Sequence, residues 1–182
     1  MSSFNLYLYA TGVPEQFLPD EYNLQNHQLT VPNSFVLSRM KNGATLSVYA
    51  DNVWDLSPYL PKCHCRLNFN TWLENAGEND FLFCQIRAEM KKISFALLYI
   101  KSGKSIIKSI EQRHTVLRQF AAIAYRNGCT LRQLFGDVAY MSKVNDAYMS
   151  VSYQKAIHIK AFLTDCFALQ QQYPLLIPAF ST

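Results

Sequence analysis

At 182 residues the chain is long enough for one large or two small domains with a real core, and 49% hydrophobic against 16% charged residues excludes a disordered polyelectrolyte. A formal charge of +4 is too mild to name a partner, but its distribution is uneven: residues 1–100 carry 7 Lys+Arg against 9 Asp+Glu, and residues 101–182 carry 10 against 4. Any polyanionic partner is therefore expected on the second half.

In chain order, residues 1–33 are polar and aromatic, and Pro14, Pro19 and Pro32 interrupt any helical period, so an irregular arm is expected there. Phe35-Val36-Leu37 and Leu46-Ser47-Val48-Tyr49 then flank Lys41-Asn42-Gly43. Asn-Gly between alternating apolar runs predicts a β-hairpin, because both residues tolerate positive φ. Trp54 to Tyr59 reads as a turn carrying large apolar anchors, and Cys65 to Phe69 as a third strand. Asp80 or Asn79 is placed to cap a helix over about residues 80–100, in which Phe81, Leu82, Ile86, Met90, Ile93 and Leu97 recur at spacings of three to four.

Gly103 ends or loosens that element. A long helix then runs through Lys108, Arg113, Leu117, Phe120 and Ala124 to Asn127-Gly128, with Gly128 as its C-cap. A short helical segment from Thr130 to about Met149 joins it to a second long helix, through Ala156, Ile159, Leu163 and Phe167. Pro174 and Pro178 close the chain in an extended tail. The expected fold class is mainly α, a four-helix bundle preceded by a small antiparallel β element. The periodic apolar positions are expected simply to face the core.

Each long helix opens on hydroxyl, amide and basic residues: Lys101, Lys104, Ser105 and Lys108 before the first, and Ser152, Gln154 and Lys155 before the second. Free N–H groups and the positive dipole end suit an anionic backbone at such openings. The order of features also resembles the N-terminal half of tyrosine recombinases, the phage-integrase family. The resemblance rests on Ser105-Ile106-Ile107-Lys108-Ser109 ahead of Leu117 to Ala124, then Asn127-Gly128, then Ser150, Lys155, Ile159, Phe162 and Leu163. It covers about residues 80–175 and implies a core-binding, SAM-like domain that clamps duplex DNA. What it implies for the contacts falls on Lys104, Ser105, Lys108 and Gln112 at one helix opening and on Ser152, Gln154, Lys155 and His158 at the other. The expected organisation is an arm with a small β element over 1–75, read from the residues, then a DNA-binding helical domain over 76–175 and the start of a linker over 176–182, as the resemblance implies. Double-stranded DNA, a catalytic domain outside this chain and self-association on the DNA are the implied partners, with no membrane and no cofactor.

The chemistry of that family is not expected in these residues. None of His27, His64, His114 and His158 is followed by Arg three residues on, so the cationic set that would activate a nucleophilic tyrosine is missing. Cys63-His64-Cys65 lacks a second ligand pair for zinc. Asp51, Asp55, Glu74, Glu78 and Asp80 read as surface charge and caps, and Trp54, Tyr59 and Trp72 as core plugs rather than base-stacking platforms. Five cysteines, an odd number, fit a reduced cytoplasmic setting, and neither a secretory pattern nor a run of about 18 apolar residues occurs. The alternative expectation is a helical protein-interaction module without DNA affinity, using the apolar tail Leu175-Leu176-Ile177 and the aromatic first half.

Overall fold

The computed structural model describes residues 15–22, 29–60, 64–73, 80–100, 106–149 and 153–173, with the side chain of Lys108 outside that description. Lys101, Lys104, Ser105, Ser152, Cys63, Glu74, Glu78 and the tail from Pro174 also lie outside the described residues. The molecule is mainly helical, with a small antiparallel β element ahead of the helices.

Strands β1 (Val36–Arg39) and β2 (Thr45–Val48) form the hairpin expected around Asn42-Gly43. Gly43 sits at φ +84°, where a side chain would strain the backbone, and the Ala44 N–H donates to Asn42 Oδ1 at 3.0 Å. Strand β3 (Val53–Asp55) pairs with β4 (Arg66–Asn68) in the register Trp54 to Leu67. Trp54 was expected in a turn and stands in a strand instead. Val53 faces solvent, Trp54 is buried and Asp55 is half-buried, a period of two too short to be read over three residues. The turn follows at Ser57–Tyr59, a single 3-10 turn opened by Pro58.

The first half is tied down by specific polar contacts. Arg39 Nε donates to the Leu18 carbonyl and Arg39 Nη2 pairs with Asp20 Oδ1 at 2.9 Å. The Tyr59 hydroxyl donates to the Phe17 carbonyl while accepting from the Arg39 N–H. Asp55 caps as expected, accepting from the Ser57 N–H, but its carboxylate is half-buried rather than solvated and pairs with Arg66 at 2.8 Å.

Helix α1 (Phe81–Tyr99) starts at Asp80, whose Oδ1 accepts from the Phe83 N–H at 3.0 Å. Helix α2 (Ile106–Arg126) ends in a Schellman turn. Gly128 at φ +66° donates to the Tyr125 carbonyl, and Cys129 donates to the Ala124 carbonyl. The segment expected as one short helix is divided into α3 (Leu131–Gly136) and α4 (Val138–Met149). The division falls at Asp137, whose carboxylate accepts from the Tyr140 N–H and so begins a new helix. Helix α5 (Tyr153–Gln172) closes the described chain.

One continuous core runs across residue 75 and joins the β element to the helices. Phe35 meets Phe95 edge-on at 5.3 Å and Tyr99 at 5.4 Å, and Trp72 stacks on Phe83 at 4.5 Å. Trp54, Tyr59 and Trp72 are all buried in it, as plugs. Among the described residues, no helix is long and apolar enough to cross a membrane.

Candidate nucleic-acid interface

Two contacts set the direction of α5 against α2. Arg113 Nε lies 2.9 Å from Asp165 Oδ2, and the Phe120 ring stacks on Phe162 with centroids 5.9 Å apart. Moving forward along α2 therefore means moving backward along α5, so the pair is antiparallel. At 1.5 Å rise per residue, the first residue of α2 and the first residue of α5 are separated by about 28 Å along the pair. The two openings expected to converge on one duplex surface sit at opposite ends. The reason is topological: α3 and α4 return the chain to the end where α2 finished, and α5 starts from there.

The expected contact residues divide accordingly. Gln112 is exposed near the start of α2. Gln154 and Lys155 are exposed and His158 half-buried in the first turns of α5. What α5's start does share an end with is the close of α2, where Arg126 is exposed. The same rise places Arg126 level with Gln154 and Lys155 along the pair.

Helix α1 is antiparallel to α2 as well, because the Tyr125 hydroxyl donates to Asp80 Oδ2 at 2.6 Å. That bond and the Phe83 N–H hold the Asp80 carboxyl below the usual carboxylate range. The turn at Asn70 and Thr71 lies between α1 and α2, gripped from each helix by an arginine. Arg87 Nη1 donates to Asn70 Oδ1 at 3.0 Å, and Arg118 Nη2 donates to the Thr71 carbonyl and, at 3.2 Å, to its hydroxyl. A cleft opens beside each arginine. The α2 cleft, about 550 Å³, is lined by Trp72, Thr115, Arg118, Gln119, Ala122, Ile123 and Arg126. It carries two cations and no carboxylate.

Beneath the turn, His114 is buried and its Nε2 lies 2.9 Å from the Asn68 carbonyl. Burial is the main cause that pushes its pKa down to about 4, with Arg118 adding to it. The ring is therefore neutral at pH 7, and Nε2 must carry the proton, since a carbonyl can only accept. His114 fastens α2 to β4, which is a structural role. Glu89 is likewise structural: its Oε2 accepts from the Leu131 N–H at 2.7 Å and the Arg132 N–H at 3.3 Å, closing the start of α3. Burial raises its pKa and those two N–H groups pull it back.

The cations of α1 and the arginines of α2 were not among the sequence-expected contacts. Arg87 and Lys91 stand at helical i, i+4 spacing, but they lie in the half with more acids than bases, where charge counting hides them. Cys65 is buried and His64 is exposed. Among the described residues, no group of three or more His, Cys, Asp or Glu side chains is placed to hold a metal ion. Compared with known protein families, curated proteins and solved structures, the chain gives no match.

Proposed function

We propose that this chain is a duplex-DNA-binding module of the tyrosine-recombinase kind, catalytically silent by itself, with strand transfer supplied by a domain outside these 182 residues. The resemblance of residues 80–175 to a core-binding, SAM-like domain is one support, and the excess of base over acid in residues 101–182 is another. The observation that carries the reading is the antiparallel α2/α5 pair, which sets Arg126 level with Gln154 and Lys155. Arg118 and Gln119 lie within the last turns of α2 toward that same end. The contact is therefore assigned to the end formed by the close of α2 and the opening of α5, rather than to two converging openings. Lys and Arg there meet phosphates, and the free N–H groups at the start of α5 add to the attraction.

Fluorescence anisotropy with a labelled duplex tests this. Binding at low salt with log K falling linearly in log salt is expected, at roughly −0.9 per phosphate contact. Absence of binding at low salt overturns it.

A second reading, a protein-interaction module, is favoured by apolar exposure at helix starts. Phe81 is 76% exposed at the opening of α1, and Tyr153 is 80% exposed at the opening of α5 with Ile157 one turn on. It expects a partner whose affinity ignores salt and is lost on Phe81→Ser or Tyr153→Ser.

A further inference from the structure

The α1 cleft, about 490 Å³, is walled by Asn33, Tyr49, Ala50 and Asn52 on the strand side. On the helix side Cys84, Arg87, Ala88, Lys91 and Lys92 recur every three to four residues, so one stripe of α1 faces it. Its volume lies in the range of pockets that take small molecules. Three of its lining residues are cations and none is a carboxylate. The acid whose charge acts on Lys91 is Asp51, which is exposed and already accepts from the Val48 N–H at 2.8 Å.

Lys91 is only 9% exposed, and its ammonium is held by the Ala50 carbonyl at 2.8 Å and by the Phe69 ring at 6.0 Å. A buried ammonium with no carboxylate bonded to it and the Arg87 charge acting on it is a costly arrangement. Burial and the Arg87 charge lower the Lys91 pKa to about 8, while Asp51 offsets them in part. An anion seated in the cleft would relieve the repulsion between Arg87 and Lys91. Two asparagine side chains on the opposite wall offer amide N–H donors to its oxygens.

We propose that this cleft binds the phosphate group of a small phosphorylated ligand, with Arg87, Lys91 and Lys92 as the charge partners and Asn33 and Asn52 as orienting donors. The inference stands apart from the duplex reading, since the lining residues come from α1 and residues 33–52 and none comes from α2 or α5.

Pyridoxal 5′-phosphate, a phosphate-bearing aldehyde, is a direct probe of the intact chain. The neutral Lys91 amine attacks the aldehyde carbon and water leaves to give an imine. Borohydride then delivers hydride to the imine carbon and fixes a secondary amine that peptide mass spectrometry locates. Lys91 is expected to be modified ahead of the exposed Lys92, Lys155 and Lys160. Inorganic pyrophosphate at roughly ten times its Kd should suppress the Lys91 adduct about tenfold, and sodium chloride at equal ionic strength should not. Lys92→Gln, a change at an exposed side chain, should raise the pyrophosphate needed. An even spread of adducts over exposed lysines, or equal suppression by chloride, overturns the proposal. A duplex at matched phosphate concentration separates the sources. Suppression by pyrophosphate supports the small ligand, and suppression by duplex alone overturns it.

Discussion

Arg113 Nε donates to Asp165 Oδ2 at 2.9 Å with both side chains largely withdrawn from water, and this pair fixes how α5 lies on α2. Removing one partner strands the other charge in the interior. Asp165→Leu should therefore destabilise the fold by about 3–5 kcal/mol, and the double change Arg113→Met with Asp165→Leu should recover most of it. Urea unfolding of the two variants checks this, and equal losses in both would show that the ion pair is not the determinant.

His114 makes stability depend on pH. Its pKa is about 4 in the fold against 6.5 as the ordinary value, so the unfolded chain binds the proton more readily. The contribution is complete above pH 6.5 and drains away as pH falls toward 4, by roughly 3 kcal/mol in all. His114→Gln keeps an N–H donor for Asn68 but cannot titrate. Its stability should be flatter than wild type between pH 6.5 and 4 in thermal melts at matched buffer ionic strength.

Glu89 supplies from α1 what α3 lacks at its start, acceptors for the Leu131 and Arg132 N–H groups. Glu89→Ala leaves those donors to water and should cost about 1–2 kcal/mol, whereas Glu89→Gln, still an acceptor, should cost less. Hydrogen exchange at Leu131 and Arg132 reads the effect locally.

Gly128 sits at φ +66° with nothing within 4 Å of where a Cβ would stand. Gly128→Ala thus meets no steric neighbour, and its cost is purely conformational, about 1 kcal/mol. A chemical melt of the variant measures it; a loss several times larger would mean that the α2 Schellman turn also carries packing.

For duplex binding, Arg126→Ala and Lys155→Ala should each reduce the salt slope by about one unit. Lys108→Ala, in α2's first turn at the far end of the pair, should leave the slope unchanged. The reverse pattern would return the interface to the opening of α2.

Several elements were legible in the residues because short-range chemistry decides them. Asn42-Gly43 marked the hairpin, Asp80 the start of α1 and Gly128 the end of α2, each through a bond or a φ requirement spanning no more than five residues. The aromatic plugs Trp54, Tyr59 and Trp72 were legible as core by their size and apolarity. Less legible was the break at Asp137, which depends on one carboxylate choosing the Tyr140 N–H over solvent. The grouping of Arg87, Lys91 and Lys92 into one cleft was hidden because the opposite wall of that cleft comes from residues 33–52.

By itself the sequence determined a helical chain with a small β element, its main caps and turns and most of the apolar stripes that form the core, Phe81 and Phe167 being exposed instead, since these follow from local backbone preference and periodic burial. Only the tertiary structure decided which charges share a surface. That choice rests on pairs such as Arg113 with Asp165 and Asp80 with Tyr125, separated by 52 and 45 residues, whose partners no periodicity names.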